Sequence, residues 1–106
     1  MKKFHIAIGV SDIACSIEDY SYRLNCSPTL IIPNEYALWR TENLNLSIRR
    51  VDTNSGIVRH LGWEDNSALH FSQDKDINGI VWENFSAKQQ AMEINEIWPE
   101  AKYEIK

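Results

Sequence analysis

The hydrophobic pattern of the first half of the chain predicts one strand, one helix and then three further strands. Apolar residues alternate with small or polar ones along 4–10, which is typical of a strand with two distinct faces. Along 13–24 they recur at i, i+4, i+7 and i+11, the stripe of an amphipathic helix that Ser11 or Asp12 can cap. Three strands are predicted to follow, at residues 29–32, 36–40 and 44–49. Residues 1–51 are therefore predicted to form a β-α-β-β-β unit.

The second half repeats the strand pattern but lacks an obvious early helix. Strands are predicted at residues 58–64, 68–71 and 80–85, with a turn over 73–79. Ser86 can cap a closing helix whose apolar stripe ends before Pro99. We therefore predict one α+β domain over residues 1–106, with a complete module at 1–51 and a shortened module with a C-terminal helix at 56–106.

Strand alternation gathers small and titratable residues on the sheet face that points away from the first helix. The apolar residues of the first and fourth strands are needed beneath the helix, which leaves their polar residues on the other side. In the strand 58–64, His60 and Glu64 share one face and Arg59 lies on the opposite face. The polar set comprises His5, Asn45, Ser47, Arg49, His60 and Glu64. Two imidazoles beside alanine and glycine favour a metal or ligand cavity, and the alternative is a pair of buried, hydrogen-bonded histidines.

Composition and charge narrow the classes of partner. The 106 residues include 15 acidic and 11 basic side chains, giving a net charge of −4, and no dense basic run is present. This balance argues against a nucleic-acid or anionic-membrane partner. No apolar stretch has transmembrane length, so we expect a soluble cytoplasmic protein. Cys15 and Cys26 are not in a Cys-x-x-Cys pair and are expected to be reduced thiols.

Three stretches resemble the vicinal oxygen chelate superfamily, which contains glyoxalases, bleomycin-resistance proteins and extradiol dioxygenases. Residues 4–13, continuing to Tyr20, are similar to the family's histidine-bearing first strand and the helix that follows it. Residues 71–85 resemble the family's closing Phe-x-Asp-Pro-Asp-Gly-Asn-x-x-Glu-Leu stretch. The strand with His60 occupies the place of the histidine-bearing strand that opens the family's second half. The chain is thus similar to a small, truncated member of this superfamily.

The resemblance implies a mixed, open, cup-like sheet and a divalent cation within it. Matched residue by residue, the metal ligands would be His5, His60 and Glu83, a set that suits Zn, Ni, Fe or Mn. In the family such a metal polarises vicinal oxygen atoms of the substrate. The fourth ligand of the family, a glutamate, falls here near Asn45 or Ser47, which are weaker ligands.

The second module is too short to be complete. Too few residues separate His60 from Glu83 for a strand, a crossover helix and two more strands. A shortened half should expose sheet edges and apolar side chains, so we expect a homodimer that completes the cup.

Three functions remain open from the sequence. In the first, the chain is a small-molecule binding protein that holds an organic ligand in the cup with His5, Asn45, Ser47, Arg49 and His60. In the second, it is a metal-dependent lyase, isomerase or dioxygenase, and Glu64 is its acid–base group because it lies on the same face as His60. In the third, the same fold serves a structural or interaction role. Metal content separates the second function from the other two.

Overall fold

Seven strands form one mixed sheet in the computed structural model, which describes residues 2–105. Positions 1 and 106 of the predicted domain lie outside the described residues. In chain order the elements are β1 (Lys2–Val10), α1 (Ile13–Leu24), β2 (Leu30–Ile32), β3 (Tyr36–Arg40), β4 (Leu44–Arg50), β5 (Ile57–Asp65), β6 (Ser72–Lys75), β7 (Val81–Phe85) and α2 (Ala87–Ile97), followed by a 3-10 turn at Pro99–Ala101. The prediction of an α+β chain with an open mixed sheet is confirmed.

The first strands of the two halves lie side by side at the centre of the sheet, whose order is β2-β3-β4-β1-β5-β7-β6. β1 and β5 are antiparallel, while β1 is parallel to β4 and β5 is parallel to β7. In the β1–β5 register, His5 lies opposite Gly62 and Ala7 lies opposite His60. The two histidines therefore lie on adjacent strands at neighbouring positions of the ladder.

Helix α1 covers one face of the first half, as its apolar stripe predicts. The Asp12 carboxylate accepts a hydrogen bond from the backbone N–H of Cys15 and caps the helix, and Asn25 ends it with a left-handed φ of 56°. The stripe packs on the inward residues of β1, β3 and β4, among them the buried Trp39 and Ile48. This packing commits the remaining side chains of β1 and β4 to the other face.

Helix α2 covers that other face, which the strand pattern alone left open. Ser86 and Gln89 form a capping box at its start, in which each side chain bonds to the other residue's backbone N–H. Ala91 and Ile94 are buried against the β3 side chains of Tyr36 and Leu38. The polar face of β1 and β4 thus lies on one side of a space, and α2 lies on the other side.

The second half departs from the prediction between β5 and β7. The strand expected at 68–71 is absent, because Asp65 organises a turn through hydrogen bonds from Ser67 and Ala68. The strand in this region is β6, which begins at Ser72 and extends into the segment 73–79 that was expected to be a turn. The turn itself is shorter and is organised by Asp76, whose carboxylate accepts bonds from two backbone N–H groups and from the Trp82 indole. No helix lies between β5 and β6, as expected.

The surface of the second half carries features that the predicted homodimer would use. The edge strand β6 is exposed at all four residues, and the loops beside it expose Leu69 and Ile77 almost completely. Unpaired edges of this kind accept a further strand. The homodimer stays a prediction. Within residues 2–105, no helix is long and apolar enough to cross a membrane.

We predict that Gly62→Ala destabilises the protein by about 2 kcal/mol, since forced overlap in a packed sheet costs about 1–3 kcal/mol. A Cβ at position 62 would overlap the backbone carbonyl oxygen of Glu83 and lie 2.8 Å from its nitrogen. Strand β7 would have to move away from β5. Urea unfolding monitored by circular dichroism measures the change.

The matched control is Gly79→Asn. Gly79 has a left-handed φ of 82° and no atom within 4 Å of its Cβ position, and asparagine adopts this conformation readily. We expect the control to unfold close to the parent. Equal stability of the parent and the Gly62→Ala variant would contradict the close approach of β7.

Candidate functional site

A pocket of about 760 Å³, including its open mouth, lies between α2 and the polar face of the sheet. The lining residues come from both halves of the sheet and from α2: His5, Tyr36, Ser47, Arg49, Arg59, His60, Phe71, Glu83, Phe85, Gln89, Gln90, Glu93, Ile94, Ile97 and Trp98. The expectation of a cavity on this face is therefore met, and its polar residues are framed by aromatic and aliphatic ones.

His5 is buried on β1 with one ring nitrogen committed to Asn45. Its Nδ1 lies 3.0 Å from the Asn45 backbone oxygen and 2.9 Å from the Asn45 side-chain oxygen. Both partners are acceptors, so Nδ1 carries the proton and Nε2 presents a lone pair to the pocket. Burial lowers the pKa of His5, the hydrogen bond to Asn45 opposes this, and the nearby His60 adds to the lowering. The neutral imidazole is the form that binds metals.

His60 and Glu83 converge on the free nitrogen of His5. The His60 Nε2 lies 2.9 Å from the His5 Nε2 and 3.1 Å from a Glu83 carboxylate oxygen. A separation of 2.9 Å between two ring nitrogens is a hydrogen-bond distance and needs one proton between them. Because the His5 proton is on Nδ1, His60 supplies it from Nε2. The three donor atoms together form a group within 4.8 Å of one another.

This donor set fits a divalent cation. Two imidazole nitrogens and one carboxylate oxygen suit Zn, Fe, Ni or Mn, and three protein ligands leave coordination positions for a ligand or water. His5 Nδ1 donates to the backbone and side-chain oxygens of Asn45. A hydrogen bond of this kind, from the ring nitrogen that does not bind the metal, orients histidine ligands in metal sites. The three residues that the family resemblance matched to metal ligands, His5, His60 and Glu83, are thus brought together.

Asn45 holds His5 in place and does not line the pocket. It is fully buried on β4, and its amide nitrogen donates to Glu64 and to Gln90, at 2.8 Å in each case. The Gln90 amide donates back to the Asn45 oxygen at 3.2 Å. The side-chain polar atoms of Asn45 are all hydrogen-bonded within the protein, which favours a role in positioning His5. The ligand contact predicted for Asn45 stays a prediction.

Glu64 is an internal ion-pair partner. Its two carboxylate oxygens accept hydrogen bonds from the Arg40 guanidinium at 2.8 and 2.9 Å, and Asn45 donates to one of them. Burial alone would raise the pKa of Glu64, but the hydrogen bonds from Arg40 and Asn45 lower it below its usual value. Glu64 does not line the pocket. Its acid–base role stays a prediction, and the geometry favours a structural one.

The remaining predicted ligand contacts, Ser47 and Arg49, do line the pocket. Ser47 is buried on β4 beneath α2, and the half-buried Arg49 has its guanidinium carbon 5.2 Å from the centre of the Trp98 ring. This is cation–π contact distance. The third histidine of the chain, His70, is exposed and lies outside the pocket.

A β-bulge brings a second arginine to the same face. Ala7 of β1 is opposite His60, but its neighbour Ile8 is opposite Val58, so Arg59 is an extra residue in β5. The prediction that Arg59 and His60 lie on different faces of the sheet is therefore wrong, because both side chains line the pocket. The Arg59 side chain reaches over the site of the absent Gly9 side chain, where a Cβ would lie 3.6 Å from its Cδ.

Other lining residues that the sequence did not single out come mainly from α2. Gln89, Gln90 and Glu93 face the pocket because α2 packs across the sheet. The capping box marks where α2 begins, but no local pattern indicates which surface it covers. Glu83, on β7 beside the edge strand β6, was indicated by the family resemblance.

We predict that Glu64→Gln destabilises the protein by about 3 kcal/mol, because removing one partner of a buried ion pair leaves the other charge uncompensated. The Glu64 side chain is 2% exposed and that of Arg40 is 14% exposed. The lowered pKa means that the carboxylate contributes stability above its unfolded-state pKa, and that this contribution is lost as the pH falls through the lower folded-state value. Urea unfolding of both proteins from pH 7 down to pH 3 should therefore show a gap that is constant near neutrality and shrinks in acid.

An Arg40→Met/Glu64→Met double variant is the control, since replacing both charges removes the uncompensated one. It should recover part of the loss. If Glu64→Gln unfolds like the parent at pH 7, the ion pair does not support the fold and the acid–base role regains weight.

No protein-family model matches the chain, and no curated protein matches it in sequence. The kinship with the vicinal oxygen chelate superfamily therefore stays a prediction. The three convergent donor atoms and the pocket that they line are the features of the structure that bear on function.

Proposed function

We propose that the protein binds a small organic molecule in the pocket under α2, with a divalent cation held by His5, His60 and Glu83 at its inner end. The observation that carries this proposal is the convergence of three donor atoms within 4.8 Å on a wall of the pocket. Structural histidines need only a hydrogen-bond partner each. Here Asn45 satisfies one nitrogen of His5 and leaves the other directed at His60 and Glu83.

The strand arrangement supports the same proposal through the family resemblance. β1-α1-β2-β3-β4 corresponds to a complete β-α-β-β-β module, and β5-β6-β7 to a reduced one without its helix and one strand. In both, the first strand is parallel to the last, and the two first strands are antiparallel neighbours. His5 and His60 then occupy first strands and Glu83 a last strand, as in metal-dependent members of the superfamily.

Each part of the pocket has a distinct role in this proposal. His5, His60 and Glu83 bind the cation, and Asn45 keeps the lone pair of His5 pointing inward. A bound divalent cation would act as a Lewis acid towards an oxygen atom of the ligand. The aromatic rings of Phe71, Phe85 and Trp98 line the pocket, where they enclose the apolar part of the ligand and exclude water.

A metal-dependent lyase, isomerase or dioxygenase is the second candidate. The observation that favours it is the three-ligand set, since such sites leave coordination positions at which a substrate can be activated. Within this candidate His5, His60 and Glu83 would hold the metal, so His60 would lose its Nε2 proton on binding and the acid–base group would be another residue. The acid–base role of Glu64 stays a prediction.

We predict that metal-free protein titrated with Zn²⁺, Ni²⁺, Mn²⁺ or, under anaerobic conditions, Fe²⁺ takes up one ion per chain for at least one of these metals. Isothermal titration calorimetry measures binding, and inductively coupled plasma mass spectrometry measures retained metal after gel filtration. A His5→Ala/His60→Ala double variant and a Glu83→Gln variant should lose the stoichiometric ion, since each removes donors from the set.

His70→Ala is the matched control, because His70 is the one histidine outside the site and is exposed. It should bind metal like the parent. No uptake by the folded parent, or uptake that survives in the His5→Ala/His60→Ala variant, would remove the metal from the proposal and leave ligand binding or an interaction role.

A further inference from the structure

Two of the five arginines in the chain differ from the others in their surroundings. Arg23, Arg40 and Arg50 each pair with a carboxylate, at 3.0, 2.8 and 3.0 Å. Within residues 2–105, Arg49 and Arg59 have neither a carboxylate within 4.0 Å nor a side-chain hydrogen bond. Acidic residues outnumber basic ones in this chain, so a shortage of carboxylates does not explain why Arg49 and Arg59 have no ion-pair partner.

Both unpaired guanidiniums face the same pocket. Arg49 reaches it from β4 and Arg59 from the bulge in β5, on the two sides of β1. Burial lowers the pKa of Arg59, and the positive charge of Arg49 adds to this effect. The positive charges of Arg49 and Arg59 thus act on each other across the pocket. Bringing like charges together costs free energy that an anion between them would offset.

The geometry around each arginine holds it in the pocket without consuming its donors. Trp98 supports Arg49 through its ring face at 5.2 Å, which leaves the N–H edges of the guanidinium free. Arg59 packs beside Gly9 of β1, where a Cβ would lie in ordinary van der Waals contact with the Arg59 Cδ, at 3.6 Å. The bulge is what turns Arg59 inward.

The acidic residues of the pocket do not neutralise this pair. Glu83 is engaged by His60 at 3.1 Å, and Glu93 lines the pocket from α2 but lies beyond ion-pair distance of both arginines. Both carboxylates act on the charge of Arg59 only from a distance. The donors of Arg49 and Arg59 therefore remain available to a bound molecule.

We propose that Arg49 and Arg59 form an anion subsite that binds the carboxylate or phosphate group of the ligand. Guanidinium groups bind both kinds of oxyanion through paired N–H donors. The ligand class is thus a small organic acid or phosphate ester, with its charged group at the arginines and its uncharged part directed at the aromatic walls. This inference rests on the proposed function for the pocket as a ligand site, but it does not require a metal.

The test is calorimetric titration of metal-free protein with benzoate, phenyl phosphate and the neutral analogue benzyl alcohol. We expect at least one of the two anions to bind about tenfold or more tightly than benzyl alcohol, and Arg49→Gln and Arg59→Gln each to weaken that anion about tenfold. The ranking of benzoate against phenyl phosphate identifies the anionic group. Binding should weaken as salt is added.

Arg50→Gln is the matched control, because Arg50 follows Arg49 in sequence but pairs with Asp52 at the surface. It should bind the anion like the parent. Thermal unfolding of each variant checks that the fold persists, and the arginine Nε–H signals in ¹H–¹⁵N spectra report contact directly. Signals of Arg49 and Arg59 should shift with anion, and those of Arg50 should not.

The inference is overturned if neither anion binds the folded parent, if benzyl alcohol binds as tightly, or if affinity is unchanged in Arg49→Gln and Arg59→Gln. A second comparison separates it from the metal proposal. Anion binding that persists in the His5→Ala/His60→Ala variant supports the subsite even where metal uptake fails. Metal uptake without anion binding keeps the proposed cation and removes the subsite.

Discussion

The ion pair between Arg40 and Glu64 is the constraint on which the site depends. A buried carboxylate is tolerated only when its oxygens are fully hydrogen-bonded, and here Arg40 and Asn45 supply the donors. Those bonds leave Asn45 with its oxygen directed at His5, which fixes the proton on Nδ1 and the lone pair on Nε2. The ion pair thereby adds the Asn45 side-chain oxygen to the backbone oxygen as an acceptor for His5 Nδ1, and Nε2 is the nitrogen left facing the pocket.

The parts of the site that were predictable follow from local periodicity. Strand alternation places His5, Ser47 and Arg49 on one face, because the apolar residues between them are needed beneath α1. Both helices begin at capping residues, Asp12 and Ser86, that a sequence shows directly. These features depend on residues that are close to one another in the sequence, and so the sequence alone indicates them.

The parts that were not predictable depend on pairing between distant segments. The bulge at Arg59 exists only in the ladder with β1, so nothing within β5 itself marks it. The Glu64 partner, Arg40, lies on β3, which is not a neighbour of β5 in the sheet. The strand expected at 68–71 satisfies β propensity, but hydrogen bonds to Asp65 commit that segment to a turn.

Helix α2, which covers the pocket, is attached to the sheet by few buried side chains. Only Ala91 and Ile94 of this helix are buried, whereas the central strands carry much of the core. Elements with few buried side chains open most readily, so α2 is expected to open more readily than the central strands. The same motion breaks the reciprocal amide bonds between Gln90 and Asn45. Opening of α2 would therefore loosen a side chain that orients His5, and contacts that hold α2 against the sheet would also order the imidazole.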